Sequence, residues 1–479
     1  MREFHTVDQV RAAEAPLLAA LPDGALMRRA AHGLARVVAS ELRSRTGGVA
    51  GRSVSLLVGS GDNGGDALWA GALLRRRGVD VRAVLLDPAR AHGPGLAALR
   101  AAGGRVVADP GDPDLVLDGI VGISGRGPLR PAAAELVAAV IAPIVAVDLP
   151  SGVDPDTGAT SGPAVTAAVT VAFGALKPVH VLAASRCGRV ELVDIGLDLP
   201  VPSISALTPD EVGARWPLPG AGDDKYSQGV VGVIAGGARY PGAAVLCAGG
   251  AVAATSGMVR YAGSAAPQVL SRWPEVVAVD AAADAGRVEA WVVGPGIGTG
   301  AAAREVVAFA LGTDLPVLVD ADGLSVLAAE PGLVAGRAAP TLLTPHAGEF
   351  ERLTGVDPTG DRVGRTRELA DRWGVTVLLK GRATVIADPD GSVLVNEAGG
   401  SAAATAGSGD VLAGVIGALL STGLAASTAA AMGARAHSLA AALAAGEGSE
   451  VSAPISATAL LSQIRAAIRI LRAQPVLKL

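Results

Sequence analysis

The sequence predicts an α/β protein built from two domains, on three observations. Its 479 residues are too many for a single hydrophobic core and suit two domains of roughly 200 to 270 residues. Short apolar runs are repeatedly followed by a glycine-rich or polar loop and then by a helical pattern, which is typical of parallel, doubly wound sheets. Prolines are concentrated between residues 198 and 224, namely Pro200, Pro202, Pro209, Pro217 and Pro219. We therefore predict domains at residues 1–205 and 225–479, joined by a linker at 206–224.

The net charge and the cysteine content limit the partners and the compartment that we expect for this protein. The net charge is −5 and the isoelectric point about 5.8, so we expect neither nucleic acid nor an anionic membrane as a partner. Two cysteines, Cys187 and Cys247, provide no disulfide framework and fit a reducing compartment. Residues 1–14 lack the apolar segment of a signal peptide. We therefore expect a cytoplasmic protein.

One uncharged segment has to be weighed as a membrane span. It runs from Val411 to Ala434, is rich in Ala and Gly, and is interrupted at residues 421–423 by Ser-Thr-Gly. A membrane-spanning helix needs about 20 consecutive apolar residues. We therefore interpret the segment as buried core helix.

The N-terminal half begins with helical patterning over residues 3–45, broken at Pro22–Gly24. A buried strand is predicted at Ser53–Val58, and the loop Gly59–Asp66 follows it directly before a helix. Strand, glycine loop and helix form the geometry in which a backbone approaches a pyrophosphate. The loop sequence GDNGGD adds an amide and carboxylates that a tight turn does not need.

Four loops in this half follow apolar runs and are expected at one edge of the sheet. They are Asp62–Asp66, Asp118–Pro128, Asp148–Gly152 and the pair Lys177-Pro178. In a doubly wound sheet the carboxyl ends of the strands carry the ligand site. Oxygen atoms of Asn63, Asp118 and Ser151 could hold a hard cation there, although ordinary turn chemistry is the alternative for each of them.

These loops closely resemble the N-terminal epimerase domain of the NAD(P)H-hydrate repair enzymes, across about residues 3–205. The motifs are GSGDNGGD after the strand, the glycine-rich loop after Asp118, and VDLPSGVDPDTG. The family usually has NNGGDG, from which Asp62 and Ala67 depart. The resemblance implies a Rossmann-like fold and a potassium ion held by Asn63, Asp118 and Ser151. It also implies that the damaged nucleotide is held by Asp62, Asn63, Gly64, Gly65, Asp66, Gly122, Ile123, Ser124, Gly125, Arg126, Gly127, Pro128 and Asp148, with Asp148 as the candidate catalytic acid/base.

In the second half, the stretch SAAATAGSGDVLAG at 401–414 carries a chemical conflict. Small residues before a helix leave backbone N–H groups free to bind an anion such as phosphate. Asp410 at the helix start would repel the same anion. Such a conflict is expected where an anion site lies beside a general base, and the alternative is that Asp410 only caps the helix.

Two further motifs in this half carry candidate side chains. His346 and Glu349 follow a strand and a proline, and they could equally cap the next helix. Lys380-Gly381 ends an apolar strand, and lysine is rare here, with Lys177, Lys225, Lys380 and Lys478 the only four among 40 basic residues. We therefore interpret Lys380 as a phosphate contact.

Over about residues 220–470 the chain resembles the ribokinase-like superfamily, specifically its ADP-dependent NAD(P)H-hydrate dehydratase branch. The motifs that carry the resemblance are, in order, KYSQG, VVGPGIG, LVDADGL, TPHAGEF, LLKGRATVI and AGSGDVLAG. Kinases of the superfamily typically have Asn at the position of His346. The resemblance implies Asp410 as catalytic base, ADP as co-substrate with Mg²⁺, and N–H groups of 406–409 on the transferring phosphoryl group. It implies a hydrate pocket of Ala243, Gly296, His346 and Asp410, and a nucleotide site of Lys380, Gly381, Arg382, Ala383, Thr384 and Gly409.

Together the two resemblances imply a bifunctional metabolite-repair enzyme acting on hydrated NADH and NADPH. The N-terminal domain would interconvert the R and S hydrates, and the C-terminal domain would dehydrate the S form with ADP. We also expect a homo-oligomer. Two alternatives stay open at this point: a small-molecule kinase of the thiazole or pyridoxal type, against which His346 argues, and a catalytically silent nucleotide sensor in the N-terminal half.

Overall fold

The computed structural model describes residues 1–447 and 451–473. The chain divides into two compact units. One comprises Glu3–Ile204, and the other comprises Met1–Arg2 with Ser205–Leu479. Both are α/β units, as the sequence predicts.

The N-terminal unit is built on a sheet of seven parallel strands in the order β4-β3-β2-β5-β6-β7-β8. The strands are β2 (Ser53–Val58), β3 (Asp80–Leu85), β4 (Arg105–Val107), β5 (Leu115–Gly119), β6 (Ile144–Val147), β7 (Val169–Phe173) and β8 (Arg189–Val193). The helices are α1 (Val7–Ala20), α2 (Ala25–Thr46), α3 (Asp62–Arg76), α4 (Gly93–Ala101), α5 (Pro131–Ala139), α6 (Val179–Leu182) and α7 (Ala184–Cys187).

Apolar side chains cover both faces of this sheet. Leu56 belongs to the core cluster that includes α2 and α3, whereas the next residue, Leu57, belongs to the cluster that includes α5. Successive strand residues point to opposite faces, so β2 is buried on both sides. The prediction of a doubly wound, Rossmann-like sheet is confirmed. The strand order reverses between β2 and β5, and ligands of such folds bind at that switch point.

The C-terminal unit contains strands β10 to β18 of an eleven-stranded sheet, whose order is β1-β9-β18-β17-β16-β15-β14-β13-β10-β11-β12. The strands of this sheet are β1 (Arg2–Phe4), β9 (Ile204–Ala206), β10 (Val230–Ile234), β11 (Met258–Ala262), β12 (Val277–Val279), β13 (Ala290–Val293), β14 (Val317–Val319), β15 (Thr341–Leu343), β16 (Thr376–Leu379), β17 (Ala383–Ala387) and β18 (Val393–Glu397). Strands β10 to β16 pair in parallel, and β16, β17 and β18 pair antiparallel.

Ten α-helices among the described residues flank this sheet. They are α8 (Pro209–Arg215), α9 (Pro241–Ala254), α10 (Ala266–Arg272), α11 (Ala301–Leu311), α12 (Asp322–Ala329), α13 (Ala347–Thr354), α14 (Arg362–Trp373), α15 (Ser408–Leu420), α16 (Ala426–Ala445) and α17 (Ala457–Ala473), with short 3₁₀ turns at Ala282–Asp284 and Pro331–Val334.

Helices α9 and α15 lie in the middle of the C-terminal core, and small residues bring their backbones together. A side chain at Gly414 would place its Cβ 2.0 Å from the carbonyl oxygen of Cys247, and one at Gly250 would lie 2.3 Å from that of Val411. The uncharged segment Val411–Ala434 is thus shared by α15 and α16 inside this core. Across residues 1–447 and 451–473, no helix has both the length and the apolar character needed to cross a membrane.

The predicted linker at 206–224 needs a correction over its first part. Residues 209–215 form α8, and Val212 and Trp216 are buried in the C-terminal core. The indole Nε1 of Trp216 donates a hydrogen bond to the carbonyl of Ala254 at 2.9 Å. Proline is tolerated in the first turn of a helix, and Pro209 occupies that position, so proline content alone overstated the length of the linker.

Candidate active sites

The N-terminal unit has a cavity of about 600 Å³ at the carboxyl ends of its strands. Helices α1 and α2, the start of α3 and the loops after β5, β6 and β7 surround it. Seven of the predicted site residues line it: Asp62, Asn63, Asp66, Gly122, Ile123, Ser124 and Asp148. These residues come from three separate segments, and Lys177 of the fourth predicted loop also lines the cavity, so the fold brings together the loops that the sequence predicted at one edge.

Other predicted residues of this site lie beside the cavity and shape its walls. Gly64 and Gly65 belong to the first turn of α3, where a Cβ would lie 2.3 Å from the Gly59 carbonyl oxygen and 2.8 Å from Met27 respectively. The remaining predicted residues outside the cavity lining are Gly125, Arg126, Gly127 and Pro128. The exposed Arg126 lies 3.3 Å from Asp156 and 3.5 Å from Asp154. The roles of these residues stay predictions.

Asn63 ties two of the loops to the start of α3. Its side chain is buried, and its Nδ2 donates hydrogen bonds to the carbonyls of Val147 at 2.5 Å and Val121 at 3.3 Å. A Cβ at Gly122 would lie 2.7 Å from the Asn63 Oδ1 atom. The amide oxygen is thus directed toward the loop after β5, beside the cavity.

Asp118 and Ser151 form a fully buried hydrogen-bonded pair. The Ser151 hydroxyl donates to Asp118 Oδ1 at 2.6 Å, and the Ser151 N–H donates to Oδ2 at 2.8 Å. Burial nevertheless raises the pKa of Asp118 to about 6, because these hydrogen bonds offset the loss of hydration only in part. No basic side chain of the described residues forms an ion pair with Asp118.

Asp148 is held by a lysine and a histidine that the sequence did not assign to the site. Lys177 Nζ lies 2.7 Å from Asp148 Oδ1, and the Phe173 N–H donates to the same oxygen at 3.0 Å. His180 Nε2 donates to the Asp148 backbone carbonyl at 2.8 Å, while its Nδ1 accepts from the Lys177 N–H. Asp148 has a φ of 67°, a region that Asp and Asn tolerate better than most residues. Two sequence signals marked Lys177, namely the scarcity of lysine and its position in one of the four loops predicted at this edge of the sheet.

Asp66 has no such partner. Its carboxyl group is buried, and its Oδ1 atom accepts no hydrogen bond from the described residues. Burial raises the pKa of Asp66 well above its ordinary value, and the neighbouring charges of Asp148, Asp62 and Glu14 raise it further. Cavity-lining residues that sequence reasoning missed are Glu14, Trp69, His92 and Phe173; they carry no motif that would have marked them.

In the C-terminal unit, Asp410 belongs to the first turn of α15 but does not cap it. The helix begins at Ser408, and its N-cap is Gly407, with a φ of 83°. Burial raises the pKa of Asp410 to about 7, the nearby Asp320 raises it too, and Lys380 acts in the opposite direction. The capping alternative is therefore wrong, and a carboxyl group that titrates near neutral pH lies at the helix start.

Lys380 lies near the carboxyl groups of Asp320, Glu349 and Asp410. Its Nζ is 2.7 Å from the buried Asp320 and 3.6 Å from Glu349. Burial by itself lowers the pKa of Lys380, but Asp320 and Glu349 outweigh it and the pKa is raised. A Cβ at Gly409 would lie 3.5 Å from this Nζ, so the ammonium group adjoins the backbone at the start of α15.

A second cavity, of about 520 Å³, opens beside this helix start. It brings together three of the four residues predicted for the hydrate pocket, Ala243, Gly296 and Asp410. The fourth, His346, does not line it. His346 caps α13: its Nδ1 accepts from the N–H groups of Gly348 and Glu349, and Glu349 accepts from the His346 N–H at 2.8 Å. The helix-capping alternative for His346 is therefore what the structure shows.

The backbone of the predicted nucleotide segment Lys380–Thr384 accepts hydrogen bonds from two side chains. Arg362 donates to the carbonyls of Leu379 and Lys380 at 3.1 and 3.0 Å, and the Thr384 hydroxyl donates to the Gly381 carbonyl at 3.0 Å. Ala383 and Thr384 begin β17, and Arg382 lies 3.7 Å from Glu397. These contacts fix the backbone of the segment.

The loop before α15 is fixed as well. His437 is buried, and burial lowers its pKa to about 4, so it is neutral and donates from Nε2 to the Ser408 carbonyl at 2.9 Å. The Ser408 N–H donates to the Thr405 carbonyl. Of the N–H groups predicted to bind an anion, that of Ser408 is thus already engaged.

Each α/β unit has a cavity lined by a carboxyl group whose pKa is raised by burial, an arrangement that defines an enzyme with two candidate sites. A family described as YjeF-related protein N-terminus matches residues 23–179, and the NAD(P)H-hydrate dehydratase family matches residues 231–464. The bifunctional NAD(P)H-hydrate repair enzyme Nnr of Mycobacterium tuberculosis (strain H37Rv) is 62% identical over 98% of this chain and 99% of its own length. The protein of the same name from Corynebacterium glutamicum is 39% identical over 88% and 87%. The chain belongs to the family of bifunctional NAD(P)H-hydrate repair enzymes.

Solved structures agree for the C-terminal unit. The ADP/ATP-dependent NAD(P)H-hydrate dehydratase from Bacillus subtilis, co-crystallised with ATP and Mg²⁺, is 28% identical with a TM-score of 0.50, covering 56% of this chain and 98% of its own. A ribokinase-like superfamily protein from Enterococcus faecalis has the same TM-score at 19% identity, covering 58% of this chain and 99% of its own. The ribokinase-like fold is thereby confirmed.

The ion pair of Lys177 and Asp148 can be tested by removing its cation. Lys177→Met should lower the free energy of unfolding of the N-terminal unit by about 3–5 kcal/mol, because it leaves a carboxylate buried without its partner. Denaturant unfolding measures the loss. The double variant Asp148→Asn/Lys177→Met removes both charges and should recover a large part of it. Strictly additive losses would show that the two side chains do not stabilise one another.

Proposed function

We propose that this chain repairs hydrated NADH and NADPH in two steps. The N-terminal unit interconverts the R and S hydrates at C6 of the nicotinamide ring, and the C-terminal unit dehydrates the S hydrate with ADP. The products are the reduced dinucleotide, AMP and phosphate. The observation that carries the proposal for the second step is the position of Asp410, a carboxyl group with a pKa of about 7 at the start of a helix beside a lysine.

In the C-terminal site, hydroxide is a poor leaving group and has to be activated. Asp410 accepts the proton of the C6 hydroxyl group while the hydroxyl oxygen attacks the terminal phosphorus of ADP, and AMP leaves. The C6–O bond then breaks with release of phosphate, and loss of a proton from C5 forms the C5–C6 double bond. Lys380 and the free N–H groups among residues 406–409 stabilise the negative charge of the transferring phosphoryl group.

The nucleotide segment and Mg²⁺ serve the same step. Lys380, Gly381, Arg382, Ala383, Thr384 and Gly409 are proposed to hold the ADP and AMP side. Over residues 1–447 and 451–473 no group of three acidic, histidine or cysteine side chains could hold a metal ion. That fits Mg²⁺ carried mainly by phosphate oxygens and water, with a carboxylate such as Asp322, which lines the cavity.

A potassium ion at Asn63, Asp118 and Ser151 is part of the proposal for the N-terminal site. The residues fit a hard cation, because Asp118 is a fully buried carboxyl group without a basic partner among the described residues, and the Asn63 amide oxygen lies beside the same loop. A bound cation would supply the missing positive charge and hold the loops after β5 and β6 together. Asp148 is the proposed acid/base at C6.

The setting of the enzyme also belongs to the proposal. Cys187 and Cys247 are buried and unbridged, which suits a reducing cytoplasm. A homo-oligomer is proposed as the assembly.

The activity is tested with a mixture of R and S hydrates. With ADP and Mg²⁺, the protein should restore the absorbance of reduced nicotinamide completely, because the R form is converted to S and consumed. Pure R hydrate without ADP should yield the epimeric mixture, and the absorbance of reduced nicotinamide should not appear. Recovery that stops at the S fraction would contradict the epimerase assignment, and no recovery from pure S hydrate would contradict the dehydratase assignment.

Asp410→Asn tests the proposed base. The substitution keeps the size of the side chain but removes its ability to accept a proton, so turnover of S hydrate should fall by about 10²- to 10⁴-fold. ADP affinity should stay the same or increase, because a negative charge beside the phosphate is lost. In the wild type, kcat/KM should rise as the pH increases through about 7, since Asp410 must be ionised to act as a base. Near-normal turnover of Asp410→Asn would contradict the mechanism.

Asp118→Asn tests the potassium site. Binding of the ion requires the ionised carboxylate, so the increase in melting temperature with KCl should grow as the pH rises through about 6. LiCl at equal ionic strength is the control. In Asp118→Asn the specific effect of KCl should disappear and epimerisation should fall, while ADP-dependent dehydration of pure S hydrate continues. A KCl effect that is unchanged in the variant would place the ion elsewhere.

A further inference from the structure

We propose that Asp66 is a second catalytic residue of the N-terminal site, a neutral carboxylic acid that donates a proton to the C6 oxygen while Asp148 accepts one on the opposite side. The inference deepens the proposed epimerase function and rests on it. Two carboxyl groups line one cavity, but the protein surrounds them in opposite ways. Such a difference of environment separates acid from base in several enzymes.

The surroundings of Asp66 favour its protonated form. It projects from the first turns of α3, is buried, and has one carboxyl oxygen that receives no hydrogen bond from the described residues. No ion pair to a lysine or arginine compensates its charge among those residues, and its pKa is raised well above the ordinary value. A carboxyl group in such a position holds its proton more tightly than an exposed one and can donate it to a bound substrate.

Asp148, in contrast, is paired with a cation and a backbone donor. One of its oxygens accepts from the Lys177 ammonium group at 2.7 Å and from the Phe173 N–H at 3.0 Å. Lys177 is itself buried and also donates to the carbonyls of Phe173 and Ala175. An acceptor-only carboxylate satisfies these donors, whereas a protonated one would compete with them.

The groups that face Asp66 come from several elements around the cavity. Acidic neighbours dominate near it, which raises the cost of ionising Asp66. The titratable and charged residues that line the cavity with it are Glu14 on α1, Asp23 before α2, Arg28 on α2, Asp62 on α3, His92 before α4, and Asp148 and Lys177.

Asp66 and Asp148 together can carry out an epimerisation in which every bond and proton is accounted for. Asp66 donates its proton to the C6 hydroxyl oxygen, the C6–O bond breaks, water departs, and the ring nitrogen lone pair forms a C6–N1 double bond. A water molecule adds to C6 from the other face, and Asp148 takes one of its protons as the electron pair returns to nitrogen. One proton has then moved from Asp66 to Asp148. The reverse epimerisation, or exchange of both groups with solvent water, restores the starting state.

The test compares Asp66→Asn with the matched variant Glu14→Gln, a second acidic residue of the cavity with a raised pKa. Asp66→Asn should lower kcat for interconversion of the hydrates by about 10²- to 10⁴-fold, the usual contribution of a positioned acid. In the wild type, kcat should fall at alkaline pH as Asp66 ionises, and Glu14→Gln should retain this fall. In wild-type turnover each inversion should also bring labelled oxygen from water to C6.

A stability measurement separates this inference from the epimerase assignment. Because folding raises the pKa of Asp66, the folded state holds this proton more tightly than the unfolded chain, and the contribution of Asp66 to stability falls as the pH rises from 3.8 through the raised value. Asp66→Asn should remove that fall and raise the melting temperature of the N-terminal unit at alkaline pH. This holds even if the wild type fails to interconvert the hydrates, an outcome that would sink the epimerase function instead. A wild-type kcat without an alkaline fall, inversion without labelled oxygen, or an active Asp66→Asn variant would each overturn the inference.

Discussion

The burial of carboxyl groups at the carboxyl ends of parallel strands is the constraint on which both sites depend. An ionised carboxylate is costly to remove from water unless it is paired or hydrogen-bonded. This chain compensates that cost differently at three positions. Asp148 pairs with a lysine, Asp118 accepts from a serine and backbone amides, and Asp66 has no such partner, so its pKa is raised. The environment of each carboxyl group therefore follows from its partners.

The placement of Asp410 depends on a different constraint, the close approach of helices α9 and α15. Gly414 and Gly250 leave no room for a side chain, so the two backbones come into contact and α15 is fixed along its length. His437 fixes its beginning through the Ser408 carbonyl. A helix held in this way presents the same N–H groups to a phosphate in every molecule, which is the preorganisation that phosphoryl transfer requires. The abundance of Ala and Gly in this part of the chain is thus a condition for the site.

The sequence was sufficient to predict where the loops of the sites lie, but it was not sufficient to predict the burial and pairing of their side chains. Strand, loop and helix patterns placed Asp62, Asp118 and Asp148 at one edge because that edge follows from the alternation of elements alone. The burial of Asp66 and the pairing of Lys177 with Asp148 depend on contacts between distant segments, which no local pattern encodes. The capping of α13 by His346 is a local contact, and the sequence pattern had offered it as an alternative. The predicted linker failed for a related reason, because Pro209 is as compatible with the start of a helix as with an extended chain.

Lys380 shows how burial and helix packing combine at the proposed phosphate site. A lysine that served only to attract ADP would be free to follow it, but this one is held 2.7 Å from Asp320. The ion pair restrains the ammonium group beside Gly409 while leaving other donors of the group available for a phosphate oxygen. The same ammonium opposes the effect of burial on Asp410 and keeps its pKa near 7. Removing Asp320 would therefore alter both the proposed base, Asp410, and the proposed phosphate contact, Lys380, so the three residues act as one electrostatic unit.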